Sequence, residues 1–315
     1  MPNLSVSRAS TAPLRWLAPL AALLVVLVLS ACGSDDDEGS GKPVALTTFT
    51  VLADMARQVG GDRIEVHSIT KPGAEIHGYE PTPSDLKRAA MADVVLQNGL
   101  GLESWFEQFI ERSQATRATL TEGIKPIPIA GESEYAGKAN PHAWMSPTNA
   151  EIYIDNLVKA FTDLDPAGAA EFRRRGAAYK QQVRKVGETV LKQLAELPPE
   201  HRALVTCEGA FSYLAQDLGL EERYIWPVNA EQEGSPQQIA ETVRFVRDRK
   251  VPAVFCESTV SDKSQQQVAR EAGSRLAGTL YVDSLSEADG PVPTYLDLLR
   301  VDADTIVSGL NPQAR

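Results

Sequence analysis

From Pro43 onward, short apolar runs of strand length alternate with helical stretches along the rest of the chain. Consecutive strands that are separated by helices pair as a mostly parallel sheet with right-handed crossovers. The alternation therefore predicts an α/β fold with two sets of four strands, each flanked by helices. The predicted strands are Val44–Thr48, Ile64–Ile69, Asp93–Gln97, Lys125–Ala130, Ala203–Thr206, Glu222–Val228, Pro252–Glu257 and Leu280–Val282.

One helical stretch, which lies between the two sets of strands, is longer than the others. It opens at Asp165-Pro166, where Asp can cap the helix and Pro suits its first turn, and it runs to about Leu197. Some thirty residues at 1.5 Å per residue would span roughly 45 Å. We therefore expect two lobes, each a four-stranded mostly parallel sheet with helices, joined by one long rigid helix. The predicted boundaries are 44–165 for the N-terminal lobe, 166–198 for the linking helix and 199–315 for the C-terminal lobe.

The other helices are predicted from apolar spacing and from capping residues. They include Val51–Val59, Ser84–Ala92, Leu102–Ser113, Asn149–Leu164, Ser264–Ala277 and Thr294–Leu310.

Residues 1–31 have the composition of a signal peptide, with two arginines, no acidic residue and the apolar run Trp16–Leu29. That run is too short for a comfortable membrane span. The sequence Leu29-Ser30-Ala31-Cys32 resembles a bacterial lipobox, in which the cysteine becomes acylated; an ordinary secretory signal is the alternative. Residues 32–43 then form the acylated Cys32 and a flexible acidic tether. We expect the lipid to anchor the chain at the extracytoplasmic face of the cell membrane.

The balance of charge argues against nucleic acid as a partner. The formal net charge of the 315-residue chain is −11, and no face of the predicted fold is basic enough to track phosphates.

Two further cysteines, Cys207 and Cys256, each end an apolar run and directly precede a glutamate. If these runs are neighbouring strands, the thiols could form a disulfide in an oxidising compartment. The pattern favours two separate buried thiols, and the disulfide is the alternative.

Polar side chains follow the ends of four predicted strands. His77 lies in the loop PGAEIHGYEPTP, and His142 lies between two prolines in NPHAWMSP; Glu208 and Asp283 occupy corresponding positions in the second half. Ligands of open α/β sheets bind at this end of the strands. Two imidazoles and two carboxylates suit a divalent first-row metal, and the flexible carboxylates favour Mn²⁺ or Fe²⁺ over structural zinc. As alternatives, His77 taken alone could be a surface residue, Glu208 could cap a helix, and Asp283 could order its Ser-rich turn.

The lipobox, HGYEPTP, NPHAWMSP, CEGAFSYLA, NAEQEGSPQQI and YVDSLS occur in this order. Together they resemble the metal-binding lipoproteins of manganese, iron and zinc ABC importers, over essentially the whole mature chain. The resemblance implies two α/β lobes joined by one rigid helix, with one divalent metal ion held as cargo in the cleft. Carried over motif by motif, it implies His77, His142, Glu208 and Asp283 as the ligands.

Zinc-specific members of that family usually carry a third histidine at the position of Glu208 and a His-rich loop before the second ligand. Here the loop is AGESEYAGKA, and the remaining histidines, His67 and His201, are interpreted as non-ligands. The pattern therefore resembles the manganese branch. It departs from the family at Glu75-Ile76, where Asp-Pro is common, and at Cys207, where serine is common. Cys207 places a soft sulfur near the site, which could favour zinc or copper.

The resemblance implies a monomeric, non-enzymatic protein that delivers Mn²⁺ to a membrane permease with its ATPase; Zn²⁺ or Fe²⁺ is the alternative cargo. Affinity for metal should fall as the histidines protonate, at about pH 6.5 for unshifted groups and lower once metal competes. Two other classes remain open. A metallohydrolase would need a general base such as Glu257 or Glu80, and a surface adhesin would bind a partner independently of the histidines.

Overall fold

The computed structural model describes residues 41–107, 114–130, 135–228 and 234–311. The predicted signal peptide, Cys32 and all but the last residues of the tether lie outside these ranges, as does most of the acidic loop at 229–234. Within the described ranges, no helix is long and apolar enough to cross a membrane.

The N-terminal half contains one parallel sheet of four strands in the order β2-β1-β3-β4. Three of its strands were predicted, because their apolar side chains are buried between helices. The elements are β1 (Val44–Thr47), α1 (Thr50–Gly60), β2 (Glu65–Ser68), α2 (Pro83–Met91), β3 (Val94–Gln97) and β4 (Thr116–Thr119).

The predicted fourth strand, Lys125–Ala130, is wrong. The fourth strand is β4, a polar and partly exposed edge strand whose sequence, TRAT, carries no apolar signal. Lys125–Ala130 contains Pro126 and Pro128, which have no N–H to donate to a ladder. In the described residues this segment forms one isolated antiparallel bridge, between Pro128 and Ala139.

The predicted long helix is confirmed, but its α-helical part begins at Ala169 because Pro166–Gly168 forms a 3₁₀ turn. Helix α3 (Pro147–Leu164) leads into a 3₁₀ turn at Pro166–Gly168, which Asp165 caps by accepting from the Gly168 N–H. Helix α4 (Ala169–Ala195) follows and spans roughly 40 Å. It packs against α1 and α3 of the first half and against the final helix of the chain, so one element contacts both halves.

The C-terminal half again alternates strands and helices, and its hydrogen-bonded ladders pair β5 with β6 and β7 with β8, both in parallel. The elements are β5 (Ala203–Glu208), α5 (Ser212–Leu218), β6 (Glu221–Trp226), α6 (Pro236–Asp248), β7 (Ala253–Glu257), α7 (Lys263–Ala272), β8 (Arg275–Leu280) and α8 (Tyr295–Leu310).

Two predictions near the end of the chain are wrong in their boundaries. The helix predicted to run to Ala277 ends at Ala272, because Gly273 adopts a left-handed conformation with φ 74°. The residues after Gly273 form β8, which spans Arg275–Leu280. The strand was predicted at Leu280–Val282, so it lies earlier in the chain than expected.

Strands β5 and β7 lie side by side, joined by side chains. The Gln265 amide donates to the backbone oxygens of Val205 (3.1 Å) and Phe255 (2.7 Å), one in each strand. Cys207 and Cys256 are bonded as a disulfide, with their Cα atoms 5.0 Å apart. The preference for two separate thiols is therefore wrong, since the two apolar runs are adjacent strands and the thiols meet between them.

The larger of two apolar core clusters in the described residues draws on both halves of the chain. The smaller one lies within the N-terminal half and includes Leu46, Val95 and Phe106. The residues from Lys42 onward form a single compact unit. The boundaries of the two lobes thus remain a prediction.

Candidate metal centre

Four predicted site residues, His77, His142, Glu208 and Asp283, come together in the interior. The Nε2 atoms of the two histidines are 3.0 Å apart. Glu208 Oε1 lies 3.5 Å from Nε2 of His77 and 3.8 Å from that of His142, and Asp283 Oδ1 lies 3.8 Å from both. The His77 side chain is 5% exposed, and the other three are at most 1% exposed.

His77 is presented by a loop between β2 and α2 that is fixed at both ends. The Glu75 carboxylate accepts from the backbone N–H groups of His77 (2.7 Å) and Gly78 (3.0 Å), which holds the loop in a tight turn. After it, Thr82 and Asp85 form a capping box that begins α2. The loop thus presents the ring from a backbone that is already ordered.

His142 stands just before a 3₁₀ turn at Ala143–Met145, and its ring is held by Asn140. Asn140 Oδ1 accepts from both the backbone N–H of His142 (3.0 Å) and its Nδ1 (2.9 Å). With Nδ1 as the donor, the lone pair of Nε2 faces the other three side chains.

The same loop is hydrogen-bonded to the C-terminal half on either side of His142. Asn140 Nδ2 donates to the Gly209 carbonyl (2.6 Å), which directly follows Glu208. Trp144 Nε1 donates to the Val282 carbonyl (3.0 Å), which directly precedes Asp283. The loop that carries one imidazole therefore also fixes the backbone beside both carboxylates.

Glu208 is the last residue of β5, and its backbone N–H donates to Glu257 Oε2 (3.2 Å), at the end of β7. Gly209 follows and approaches the next strand so closely that a Cβ there would lie 2.7 Å from the Pro227 carbonyl oxygen. Only glycine fits this position without a backbone shift.

Asp283 lies three residues beyond the end of β8. Its Oδ2 accepts from the Thr259 hydroxyl (3.2 Å). Its Oδ1 is buried and has no hydrogen-bond partner among the described residues, and it points towards the two imidazoles. A buried carboxylate oxygen without a partner costs free energy, and a cation between these four groups would remove that cost.

Burial shifts the protonation of these groups away from their ordinary values. It lowers the pKa of His77 to about 4, and the nearby Glu75 carboxylate opposes that shift only in part. It also lowers the pKa of His142 well below 6.5, with His77 adding to the effect. Burial and then the Glu75 charge raise the pKa of Asp283 to about 7. Near neutral pH the pocket therefore holds two neutral imidazoles, the form that binds metals.

The remaining sequence candidates lie elsewhere or in other roles. His67 contacts Glu65 at 2.9 Å on β2, and neither it nor His201 belongs to a metal-capable cluster within the described residues. The disulfide between Cys207 and Cys256 leaves no thiolate to act as a soft ligand. Sequence reasoning missed Asn140, although its place two residues before His142 suits an imidazole partner.

Comparison with known proteins identifies the family to which the chain is similar. The model of the family described as zinc-uptake complex component A, periplasmic (ZnuA), matches residues 46–309. The chain is 51% identical over 265 residues to the iron-binding protein YfeA of Yersinia pestis, covering 84% of this chain and 85% of that protein.

It is also 31% identical over 303 residues to the manganese ABC transporter substrate-binding lipoprotein PsaA of Streptococcus pneumoniae, covering 94% of this chain and 97% of that protein. A manganese-bound periplasmic metal-binding protein from Candidatus Liberibacter asiaticus superposes with a TM-score of 0.81 at 38% identity. That comparison covers 86% of this chain and all of the other.

Proposed function

Because the chain belongs to the ZnuA family of periplasmic metal-binding proteins, we propose that it captures Mn²⁺ at His77, His142, Glu208 and Asp283 for import. Proteins of this family are substrate-binding components of ABC metal importers, which work with a permease and an ATPase, and are not enzymes. The metallohydrolase alternative is therefore set aside.

The convergence of four ligand atoms in a buried pocket carries this proposal. The five distances that involve an imidazole run from 3.0 to 3.8 Å. Two ligand atoms of a tetrahedral site with bonds of ~2.1 Å are separated by ~3.4 Å. The ligand atoms of His77, His142 and Asp283 all lie within 4.8 Å of one another, whereas Glu208 lies outside that cluster although its Oε1 is close to both imidazoles. Binding of one ion therefore requires the two carboxylates to move closer together, and bidentate carboxylates can raise the coordination number towards six.

The donor set supports Mn²⁺ as the cargo. Two imidazoles and two carboxylates suit Mn²⁺ and Fe²⁺, whereas the third histidine typical of zinc-specific relatives is replaced by Glu208. Fe²⁺ is the second candidate, because the relative that is 51% identical is named as iron-binding. The Irving–Williams order gives Zn²⁺ an equilibrium affinity at least as high as that of Mn²⁺. The cargo must therefore be judged from the ratio of affinities.

We further propose that the protein works as a monomer tethered by acylated Cys32 to the outer face of the cytoplasmic membrane. Its lipobox-like sequence and acidic tether support this placement. Replacement of Cys32 by Ser should release the protein from the membrane fraction and abolish incorporation of labelled fatty acid. Retention of the label in that variant would contradict the anchor.

Metal affinities of the soluble chain from Gly33 to Arg315 test the cargo. The protein is purified without chelators, and Mn²⁺, Fe²⁺ and Zn²⁺ are measured by competition. The variant Glu208→His should raise the preference for Zn²⁺ over Mn²⁺ at least tenfold. The control Glu241→His, at a glutamate that pairs with Arg223 on the surface, should leave the ratio unchanged.

Each outcome has a defined meaning. One equivalent of Mn²⁺ in the wild type and a shifted ratio in Glu208→His support the proposal. A ratio of affinities that does not change in Glu208→His removes the support for Mn²⁺ over Zn²⁺, whether or not Mn²⁺ displaces bound zinc. Absence of any stoichiometric metal overturns the proposed function.

A further inference from the structure

A chain of hydrogen bonds runs from the His142 ring into the C-terminal half. The first link joins His142 Nδ1 to Asn140 Oδ1 (2.9 Å). The second joins Asn140 Nδ2 to Ser212 Oγ (3.2 Å), and the third joins Ser212 Oγ to Glu222 Oε2 (2.6 Å). It connects a candidate metal ligand to a carboxylate 80 positions further along the sequence.

All three links point in the same direction. Asn140 Nδ2 donates to the Gly209 carbonyl as well as to Ser212, so the amide must turn its oxygen to the imidazole. His142 Nδ1 is then the donor of the first link. Ser212 Oγ accepts from Asn140, and the ionised form of Glu222 can only accept, so the Ser212 hydroxyl hydrogen goes to Glu222 when that carboxylate is charged. Hydrogen bonds arranged head to tail polarise one another.

Glu222 stands at the end of this chain, and its other hydrogen-bonding neighbour is the backbone of Phe211, next to Ser212. It lies on β6, where it lines a groove beside Ser212 and Tyr224. Its neighbour Arg223 pairs with Glu241 instead, at 3.1 Å. Glu222 Oε1 is buried and has no hydrogen-bond partner in the described part of the chain. Burial raises its pKa to about 7, although the hydrogen bonds with Ser212 and with the Phe211 backbone oppose the shift. Burial of this carboxylate costs desolvation free energy, which a functional role for Glu222 would explain.

We propose that Glu222 is a positioning residue for the metal ligand His142, acting through Ser212 and Asn140. The inference rests on the proposed function. A carboxylate that accepts from the second nitrogen of a ligating histidine fixes its tautomer and strengthens the metal bond. Here a serine and an asparagine extend that connection, so Glu222 acts on His142 without touching it.

The test measures Zn²⁺ affinity by chelator competition, together with the NMR signal of the His142 Nδ1–H proton in the Zn²⁺-loaded protein. Zn²⁺ is chosen because it is diamagnetic. Ser212→Ala cuts the chain, and should lower the affinity about tenfold and move the Nδ1–H signal upfield. Glu222→Gln removes the charge and keeps an acceptor, so both effects should be smaller, with about a threefold loss of affinity.

Three further variants separate positioning from general damage. Ser212→Thr keeps the hydroxyl and should restore both readouts. Glu241→Gln removes an acid from the same groove, outside the chain of hydrogen bonds, and should change neither. The double variant Ser212→Ala with Glu222→Gln should be no weaker than Ser212→Ala alone, because the connection is already cut.

An unchanged Nδ1–H signal and affinity in Glu222→Gln would overturn the inference, as would losses that add in the double variant. If either refuting result is obtained while the wild-type protein binds one equivalent of Zn²⁺, the inference about Glu222 fails and the proposed function stands. If the wild-type protein binds no metal, both the inference about Glu222 and the proposed function are wrong.

Discussion

The pH dependence of metal affinity should be governed by Asp283. Protons compete with metal for the ligands, so affinity falls as the pH falls through the pKa of each ligand. The pKa of Asp283 is raised to about 7, whereas those of His77 and His142 are lowered, that of His77 to about 4. The number of protons released for each metal ion bound should therefore rise from about half at pH 7 to about one at pH 5, and these protons should come from Asp283.

The size of the effect follows from that single titration. A group with a pKa of about 7 lowers the apparent affinity about 100-fold between pH 8 and pH 5, or ~2.7 kcal/mol. Two histidines with ordinary values near 6.5 would instead lower it roughly 1000-fold, with a slope approaching two. The sequence predicts that metal affinity falls near pH 6.5 as unshifted histidines protonate. The structure instead predicts that affinity falls near pH 7 as Asp283 protonates.

The measurement is isothermal titration calorimetry with Mn²⁺, repeated at half-unit steps from pH 5 to pH 8 in buffers of different ionisation enthalpy. It gives both the affinity and the number of protons released. The variant Asp283→Asn has no carboxyl to titrate. Its affinity should be lower at pH 8 and nearly independent of pH down to 5. A slope of two in the wild type, or an undiminished slope in Asp283→Asn, would refute the reasoning. Circular dichroism at pH 5 checks that the protein remains folded.

Three further predictions concern the surroundings of the site. Gly209→Ala should reduce metal affinity at least tenfold, because Gly209 follows the candidate ligand Glu208 and its Cβ would lie 2.7 Å from the Pro227 carbonyl oxygen. The control Gly219→Ala places a Cβ in open space at a left-handed helix cap, so it should lower the melting temperature and leave metal affinity unchanged. Replacing Cys207 and Cys256 by Ser should lower the free energy of unfolding by ~4 kcal/mol, from the 49-residue separation of the disulfide, as measured by urea denaturation. Burial raises the pKa of Glu103 to about 7, so the folded chain binds more protons than the unfolded one. The free energy of unfolding should therefore fall as the pH rises from about 4.5 to 7. Glu103→Gln should make that pH dependence less steep, and an unchanged dependence would contradict the raised pKa of Glu103.

The parts of the fold that were predictable are those in which local pattern and burial agree. The buried strand Val94–Gln97 and the capped helix Pro83–Met91 are examples. The edge strand Thr116–Thr119 could not be predicted, because its polar side chains are partly exposed and only its backbone pairing makes it a strand. The region 272–280 was misread because the left-handed Gly273 ends a helix in which the apolar spacing continues.

For the site, short motifs were enough to select His77 and His142, since each lies in a loop with few alternative structures. The connections between distant segments were not predictable. Asn140 meets Gly209, 69 positions further on, only because the two halves pack together. The raised pKa of Asp283 likewise depends on burial by the whole fold and on the Glu75 charge. The sequence thus indicated the candidate ligands, and the packing determines their protonation.

An anomalous difference map from crystals grown with Mn²⁺ tests the central claim most directly. We predict one strong peak per chain, roughly 2.0–2.3 Å from Nε2 of His77, from Nε2 of His142 and from an oxygen each of Glu208 and Asp283. A crystal of His142→Ala, grown in the same way, should show that peak weakened or absent. A strong peak elsewhere, or no peak among these four side chains, would contradict the assignment of the site and the proposed role in metal capture.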